Sequence, residues 1–198
     1  MGIVTCDLSV SIDGYVAGPN QRLEAPFGDG AGMRLHRWRL EQPEENATEI
    51  AGILGARAYI MGRNMFNPNR GEWDLTWKGW WGEEPPFHAP VFVLTHYPRE
   101  SLPMEGGTTF HFVTDGIESA LAQARAAAGD ANIAIAGGAA TVNEYLAAGL
   151  LDELRLHIVP ETNGAGARLF EGTGRIGLES ISSRGNELVT HITYRVIH

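Results

Sequence analysis

Two glycines separate an apolar run from a helix-forming run in Ala134-Ile135-Ala136-Gly137-Gly138-Ala139-Ala140-Thr141. A strand, a glycine pair and a helix start in this order can bind an anion. Glycine lets a phosphate approach the backbone, and the free N–H groups of the first helical turn, aligned with the helix dipole, point at it. The third glycine of a dinucleotide fingerprint and the lysine of a P-loop are missing, so the same residues also describe a plain strand-to-helix turn. Met61-Gly62-Arg63-Asn64 follows a second apolar run. An arginine at a strand's carboxyl end suits two-pronged contact with a phosphate, and equally suits a surface salt bridge. Thr95-His96, after a third run, adds a hydroxyl and an imidazole. On parallel strands these three polar ends fall along one sheet edge, where open α/β sheets bind ligands.

The region 66–90 is the least regular and holds Trp73, Trp77, Trp80 and Trp81 as well as Pro85-Pro86. Long loops in compact domains are mostly functional or interfacial. Trp80 and Trp81 can wall a substrate pocket and stack on a flat heterocycle; the other reading is a loop packed on the sheet or on a second subunit. His88 is a possible proton donor, although a lone histidine is more often structural.

The elements that must position these groups are legible from periodicity. Residues 3–12 read as a strand ending at the turn signal Asp13-Gly14, where aspartate has a natural turn-forming role. Asn46 and Glu49 have capping-box spacing and open a helix that stops at Gly55. Residues 57–61, 91–95, 110–114 and 132–136 read as short buried strands. Asp115 and Glu118 form a second capping box, before a helix with Ile117, Ala120, Leu121 and Ala124 on one face. Val142, Tyr145 and Leu146 follow at helical spacing, closed by Gly149. Leu154, Leu156 and Ile158 alternate with Arg155 and His157 as in a half-buried strand, and residues 188–196 alternate after the turn Gly185-Asn186. Strand–helix alternation followed by consecutive strands predicts an α/β fold: a mostly parallel mixed sheet flanked by helices, with a C-terminal antiparallel hairpin. No repeat or linker divides residues 1–198, which read as one domain.

Composition narrows the partners. The 198 residues carry a formal net charge of -9, with 43% hydrophobic and 20% charged residues. An acidic surface argues against nucleic acid, and an anionic cofactor would need local donors. Cys6 is the single cysteine, which excludes an intrachain disulfide and a cysteine-pair zinc site; no metal is expected. There is no signal-peptide pattern and no apolar stretch of membrane-spanning length, so a cytoplasmic location is expected, where the sequon Asn46-Ala47-Thr48 is inert.

Taken as a set, the motifs resemble the dihydrofolate reductase-like family, in particular the C-terminal reductase domain of the bifunctional riboflavin-pathway deaminase-reductase. SVSIDGYVAG at 9–18 resembles the family's first-strand motif, IMGR at 60–63 the second and VFVLT at 91–95 the third. AGGAAT at 136–141, GLLDEL at 149–154 and GAGARLF at 164–170 complete the series in the family's order.

The resemblance implies a dihydrofolate reductase-like three-layer fold and NADPH as cofactor. By it, Arg63 and Asn64 beside Gly62 receive the adenosine 2′-phosphate, and Thr95 and His96 flank the adenosine. Gly137, Gly138, Ala139, Ala140 and Thr141 cradle the pyrophosphate. Ser9, Val16, Ala17 and Gly18 line the nicotinamide, and Asp13 is the candidate for placing or relaying a proton. It further implies a homodimer and hydride transfer to a small heterocyclic or carbonyl substrate, such as 5-amino-6-(5-phosphoribosylamino)uracil of riboflavin biosynthesis. A non-catalytic nucleotide-binding protein and a reductase of flat xenobiotics are the alternatives. Two departures stand out: residues 33–40 lack the carboxylate that dihydrofolate reductases place on their first helix, and PETN at 160–163 replaces an apolar run. The deaminase's zinc-binding cysteines are absent.

Overall fold

The computed structural model describes residues 2–30 and 32–198. In chain order the elements are β1 (Val4–Ser11), β2 (Tyr15–Ala17), α1 (Arg37–Glu41), α2 (Ala47–Leu54), β3 (Ala58–Gly62), α3 (Arg63–Phe66), β4 (Pro90–Leu94) and β5 (Leu102–Pro103). There follow β6 (Thr109–Val113), α4 (Ile117–Ala128), β7 (Ile133–Gly137), α5 (Ala139–Ala147), β8 (Glu153–Val159), β9 (Ala167–Arg168), β10 (Gly177–Gly185) and β11 (Thr190–Ile197). The main sheet has the order β10-β11-β8-β1-β7-β3-β4-β6-β5, and β2 pairs with β9 apart from it. From β8 through β6 every pairing is parallel, as helical crossovers require. The edges are antiparallel: β11 against β8, the β10–β11 hairpin, and β5 against β6.

Side chains alternate across each strand and so build a separate core on each face. Val4, Cys6, Leu8 and Val10 of β1 meet Ala120, Leu121 and Ala124 of α4 and Val142, Tyr145 and Leu146 of α5. The opposite face is covered in two patches. Leu35 and Trp38 pack on Val159 and Val189. Farther along the sheet, Tyr59, Met61, Phe66, Phe87, Val91, Val93 and Phe110 carry Trp73, Trp77 and Trp81.

Neither expected capping box forms. Asn46 does precede α2, but its side chain bonds Trp38 O and Gln42 O instead of capping the helix. It is fully buried, so the sequon there is not available on the surface. The helix expected from Asp115 starts after Gly116, with no side-chain cap. His157, expected on a polar strand face, is 2% exposed: alternation places it opposite Leu156, but α1 covers that face and Trp38 packs 4.6 Å from its ring.

Candidate functional site

The carboxyl ends of β7, β3 and β4 lie side by side, with Met61 opposite Gly137 and Gly62 opposite Leu94. Each end turns directly into polar structure. Gly62 is the extended N-cap of α3. It abuts the first turn of α5: a Cβ added there would overlap the Thr141 hydroxyl and lie 3.8 Å from Gly138 N. Gly137 has φ +127, a conformation that favours glycine, and its peptide bond to Gly138 is cis. Gly138 caps α5, and a Cβ built on it meets nothing within 4 Å. Gly62, Gly137, Gly138 and Thr141 thus meet at one strand edge, at the start of α5.

Arg63 is the charge at this edge. Its guanidinium carbon lies 4.0 Å from the Trp73 ring centroid and 5.0 Å from that of Tyr97. One nitrogen donates to Gly71 O at 2.5 Å, while Nε is buried without a partner. Among the described residues Arg63 makes no ion pair, and burial, helped by nearby Arg70, holds its pKa below the usual arginine value. Asn64 is the next residue of α3. Thr95, at the end of β4, accepts from Tyr97 N at 3.1 Å and so closes the turn that sets Tyr97 near Arg63. His96 between them is exposed. Trp73 and Tyr97 were not foreseen as site residues; the hint available was an aromatic-rich loop after an arginine with no nearby acidic residue in sequence.

The N-terminal wall reaches the same edge through α5. Asn143 donates to Arg168 O at 3.0 Å and accepts from Phe170 N at 2.8 Å, which clamps β9 on α5. Strand β2 pairs with β9 and carries Val16 and Ala17 with it. Gly18 N bonds Phe27 O at 2.8 Å, and a Cβ on Gly18 would overlap Asp29 O. Ser9 Oγ accepts from Trp38 Nε1 at 2.9 Å.

Asp13 serves the backbone. Its carboxylate accepts from Ser11 Oγ at 2.5 Å, Asn163 N at 3.0 Å and Gly164 N at 2.8 Å. These bonds, the Ser11 hydroxyl first, pull its pKa down to about 2. These bonds make the carboxylate a staple that ties the PETN segment to the end of β1. Trp80 and Trp81 make the ring contacts of a loop packed on itself and on the sheet. Trp81 stacks near Phe110 of β6 (5.8 Å) and meets Phe87 edge-on (5.1 Å), and Trp80 packs against Trp77 at 4.9 Å. Four strand spacings of about 4.8 Å separate β6 from β1, so this loop is core cover for the far half of the sheet.

The RibD C-terminal domain family model matches residues 3–190. The chain belongs to the RibD C-terminal domain family. No curated protein sequence matches it. Solved structures share the family's fold. A Shewanella sp. PV-4 protein named for riboflavin biosynthesis aligns with TM-score 0.70 and 23% identity over 99% of both chains. The Enterococcus faecalis dihydrofolate reductase complexed with NADP(H) aligns with TM-score 0.56 and 15% identity over 98% of this chain and 96% of its own. The Thermotoga maritima diaminohydroxyphosphoribosylaminopyrimidine deaminase/5-amino-6-(5-phosphoribosylamino)uracil reductase aligns with TM-score 0.60 and 13% identity, over 99% of this chain and 57% of that one. The RibD C-terminal domain therefore has here a dihydrofolate reductase-like fold, a large mostly parallel sheet flanked by helices. Among the described residues no helix is long and apolar enough to cross a membrane, and no cluster of His, Cys, Asp or Glu fits a metal ion.

Proposed function

We propose that the chain is an NADPH-dependent reductase that delivers a hydride to a small heterocyclic or carbonyl substrate, and that residues 1–198 act as one domain. The observation that carries this reading is Arg63: a partly buried guanidinium with an orphaned Nε, no carboxylate partner, and aromatic rings on both sides. It stands beside a glycine-lined helix start with open space before Gly138. A cation left without a counter-ion calls for an anionic ligand, because burying it unpaired is costly. The residues present fit a 2′-phosphorylated dinucleotide. Arg63 and Asn64 would hold the 2′-phosphate, Thr95 and His96 would flank the adenosine, and Gly137 to Thr141 would take the pyrophosphate. Ser9 and Val16 to Gly18 would line the nicotinamide. NADPH bound there would supply the hydride; the protein's part is orientation and exclusion of water. The Asp13 staple fixes the rim of this edge by joining the end of β1 to residues 163–164. The Thermotoga maritima neighbour's name makes 5-amino-6-(5-phosphoribosylamino)uracil the first substrate to assay.

Thermal unfolding of the wild type and of Gly138→Val, each with NADPH, NADH or neither, tests the cofactor site. Ligand at 100 times its dissociation constant adds about 2.7 kcal/mol, a rise of about 5–11 °C for a chain of this size. The wild type should show that rise with NADPH and a smaller one with NADH, and Gly138→Val should show neither. No rise in the folded wild type would overturn the reading; an unchanged rise in the variant would mean the glycine pair is only a turn.

A further inference from the structure

Behind Ser9, on the sheet face covered by α1, lies a buried polar chain with no part in the proposed cofactor site. Asn46 is 0% exposed, His157 2% and His191 5%, and the Asp7 side chain is 5% exposed. The Asn46 amide nitrogen donates to two carbonyls, Trp38 O at 3.0 Å and Gln42 O at 2.8 Å, which fixes its orientation. Its oxygen therefore faces His191 Nε2 at 2.9 Å. An amide oxygen only accepts, so that nitrogen carries a hydrogen. The two Nδ1 atoms of His191 and His157 are 2.8 Å apart and need one hydrogen between them. His157 Nε2 lies 3.5 Å from Asp7 Oδ1, and neither atom makes a hydrogen bond, to the other or to anything else. A carboxylate oxygen and an imidazole lone pair both accept. Facing each other out of water, they would leave two buried acceptors unsatisfied.

The two hydrogen bonds use the two hydrogens of neutral imidazoles, and the His157–Asp7 contact is left without one. We propose that the Asp7–His157–His191–Asn46 chain is a proton-holding site that carries one proton more than two neutral histidines beside a carboxylate, with that proton on His157 Nε2 in an ion pair with Asp7, 3.5 Å away. The other Asp7 oxygen faces Arg155 at 3.4 Å, which favours the carboxylate and leaves the proton on His157. Burial, and then the neighbouring His157, push His191 down to about 4 and keep the second ring neutral.

The surrounding charges do not supply the missing hydrogen. Arg155 of β8 also pairs with Glu153 at 2.6 Å. Tyr59 of β3 and Cys6 of β1 sense the Asp7 charge. His36, ahead of α1, senses His157, and Glu49 of α2 and Arg184 of β10 act on His191. The chain thus gives the wall behind Ser9 and Trp38 zero net charge and a proton held at rest. This inference stands without the reductase reading, since it rests on the placement of these buried groups.

Nitrogen-15 spectra of the histidine rings in the whole, ligand-free protein at pH 8, assigned with single histidine variants, count these hydrogens directly. The expected result is His191 neutral with hydrogen on Nε2 and His157 protonated on both nitrogens; two neutral rings would overturn the proposal. In Asp7→Asn the new amide can donate to His157 Nε2, so His157 should become neutral. A His157 still doubly protonated there would also overturn it. Should that variant fail to fold, proton linkage in a Cys6→Ala background answers the same question. Folding then takes up one proton, and the unfolding constant rises about tenfold per pH unit between about pH 7.5 and 8.5; a flat profile refutes the count.

Discussion

Replacing Arg63 by alanine separates recognition of the cofactor from stability of the fold. In the free chain the guanidinium gains a contact with Trp73 at 4.0 Å and a bond to Gly71 O at 2.5 Å. A partly exposed cation–π contact is worth about 0.5–1 kcal/mol, and burial and Arg70 act against the charge. The variant should therefore lose about 1 kcal/mol or less, a fall of about 2–4 °C in the unfolding midpoint. The liganded state loses more. A charge-assisted bond to the 2′-phosphate contributes about 1.5–3 kcal/mol, so the NADPH dissociation constant should rise about 10- to 150-fold. NADH lacks that phosphate and should bind as before within about twofold. Titration calorimetry with both nucleotides, or quenching of the tryptophan fluorescence to which Trp73 contributes, reads the difference. Arg63→Lys keeps the charge but not the planar fork and should fall between the two. Equal weakening of both nucleotides, or no change for NADPH, would refute the assignment of Arg63 to the 2′-phosphate.

Two further outcomes follow from the same geometry. Gly62→Ala drives a methyl group into the Thr141 hydroxyl and should cost about 1–3 kcal/mol. Adding Thr141→Ala should recover much of that loss, which a double-mutant cycle in denaturant measures; additive losses would mean that the two elements are not in contact. His36 is held down to about 4, by burial first and then by Arg39 and His157. Its unfolded form takes up a proton near pH 6.5, so the stability it contributes is complete above that pH and is lost as pH falls toward about 4. At pH 5 its share of the loss is about 2 kcal/mol. His36→Phe should flatten this part of the pH–stability curve, and an unchanged acid limb would show that His36 titrates normally.

The sequence displayed the parts of the site whose cause is local. An apolar run that ends in glycine identifies the ends of β3 and β7 without tertiary information, and the helical spacing of Ala120, Leu121 and Ala124 marks the buried face of α4. Partnerships across the fold were hidden. Nothing near Arg63 in the sequence says that Trp73 and Tyr97 flank it, because a loop on one side and a strand on the other bring them there. Asn46 has the spacing of a helix cap, yet its oxygen is taken by His191 from the far strand of the sheet. The alternation of β8 told which face His157 occupies but not what covers it, since α1 is only five residues long. Chemical type left Trp80 and Trp81 open between pocket walls and a packed loop, and only the fold shows Trp81 meeting Phe87 and Phe110.

The placement of β1 between β7 and β8 has a consequence for the way the polypeptide is made. Strand β1 is made well before its partners; its neighbours in the sheet begin at Ile133 and Glu153. At about 5–20 residues per second, β1 waits about 6–25 s before β7 is synthesised. During that interval its apolar residues Val4, Cys6, Leu8 and Val10 are exposed along an unpaired strand, the situation in which nascent chains associate with one another. The intervening residues are Thr5, Asp7 and Ser9, so each apolar residue is followed by a polar one and a charge sits at mid-strand. Such a charge discourages edge-to-edge pairing. Asp7, buried in the finished protein, is thus the one charge on β1 that opposes such pairing while the strand waits.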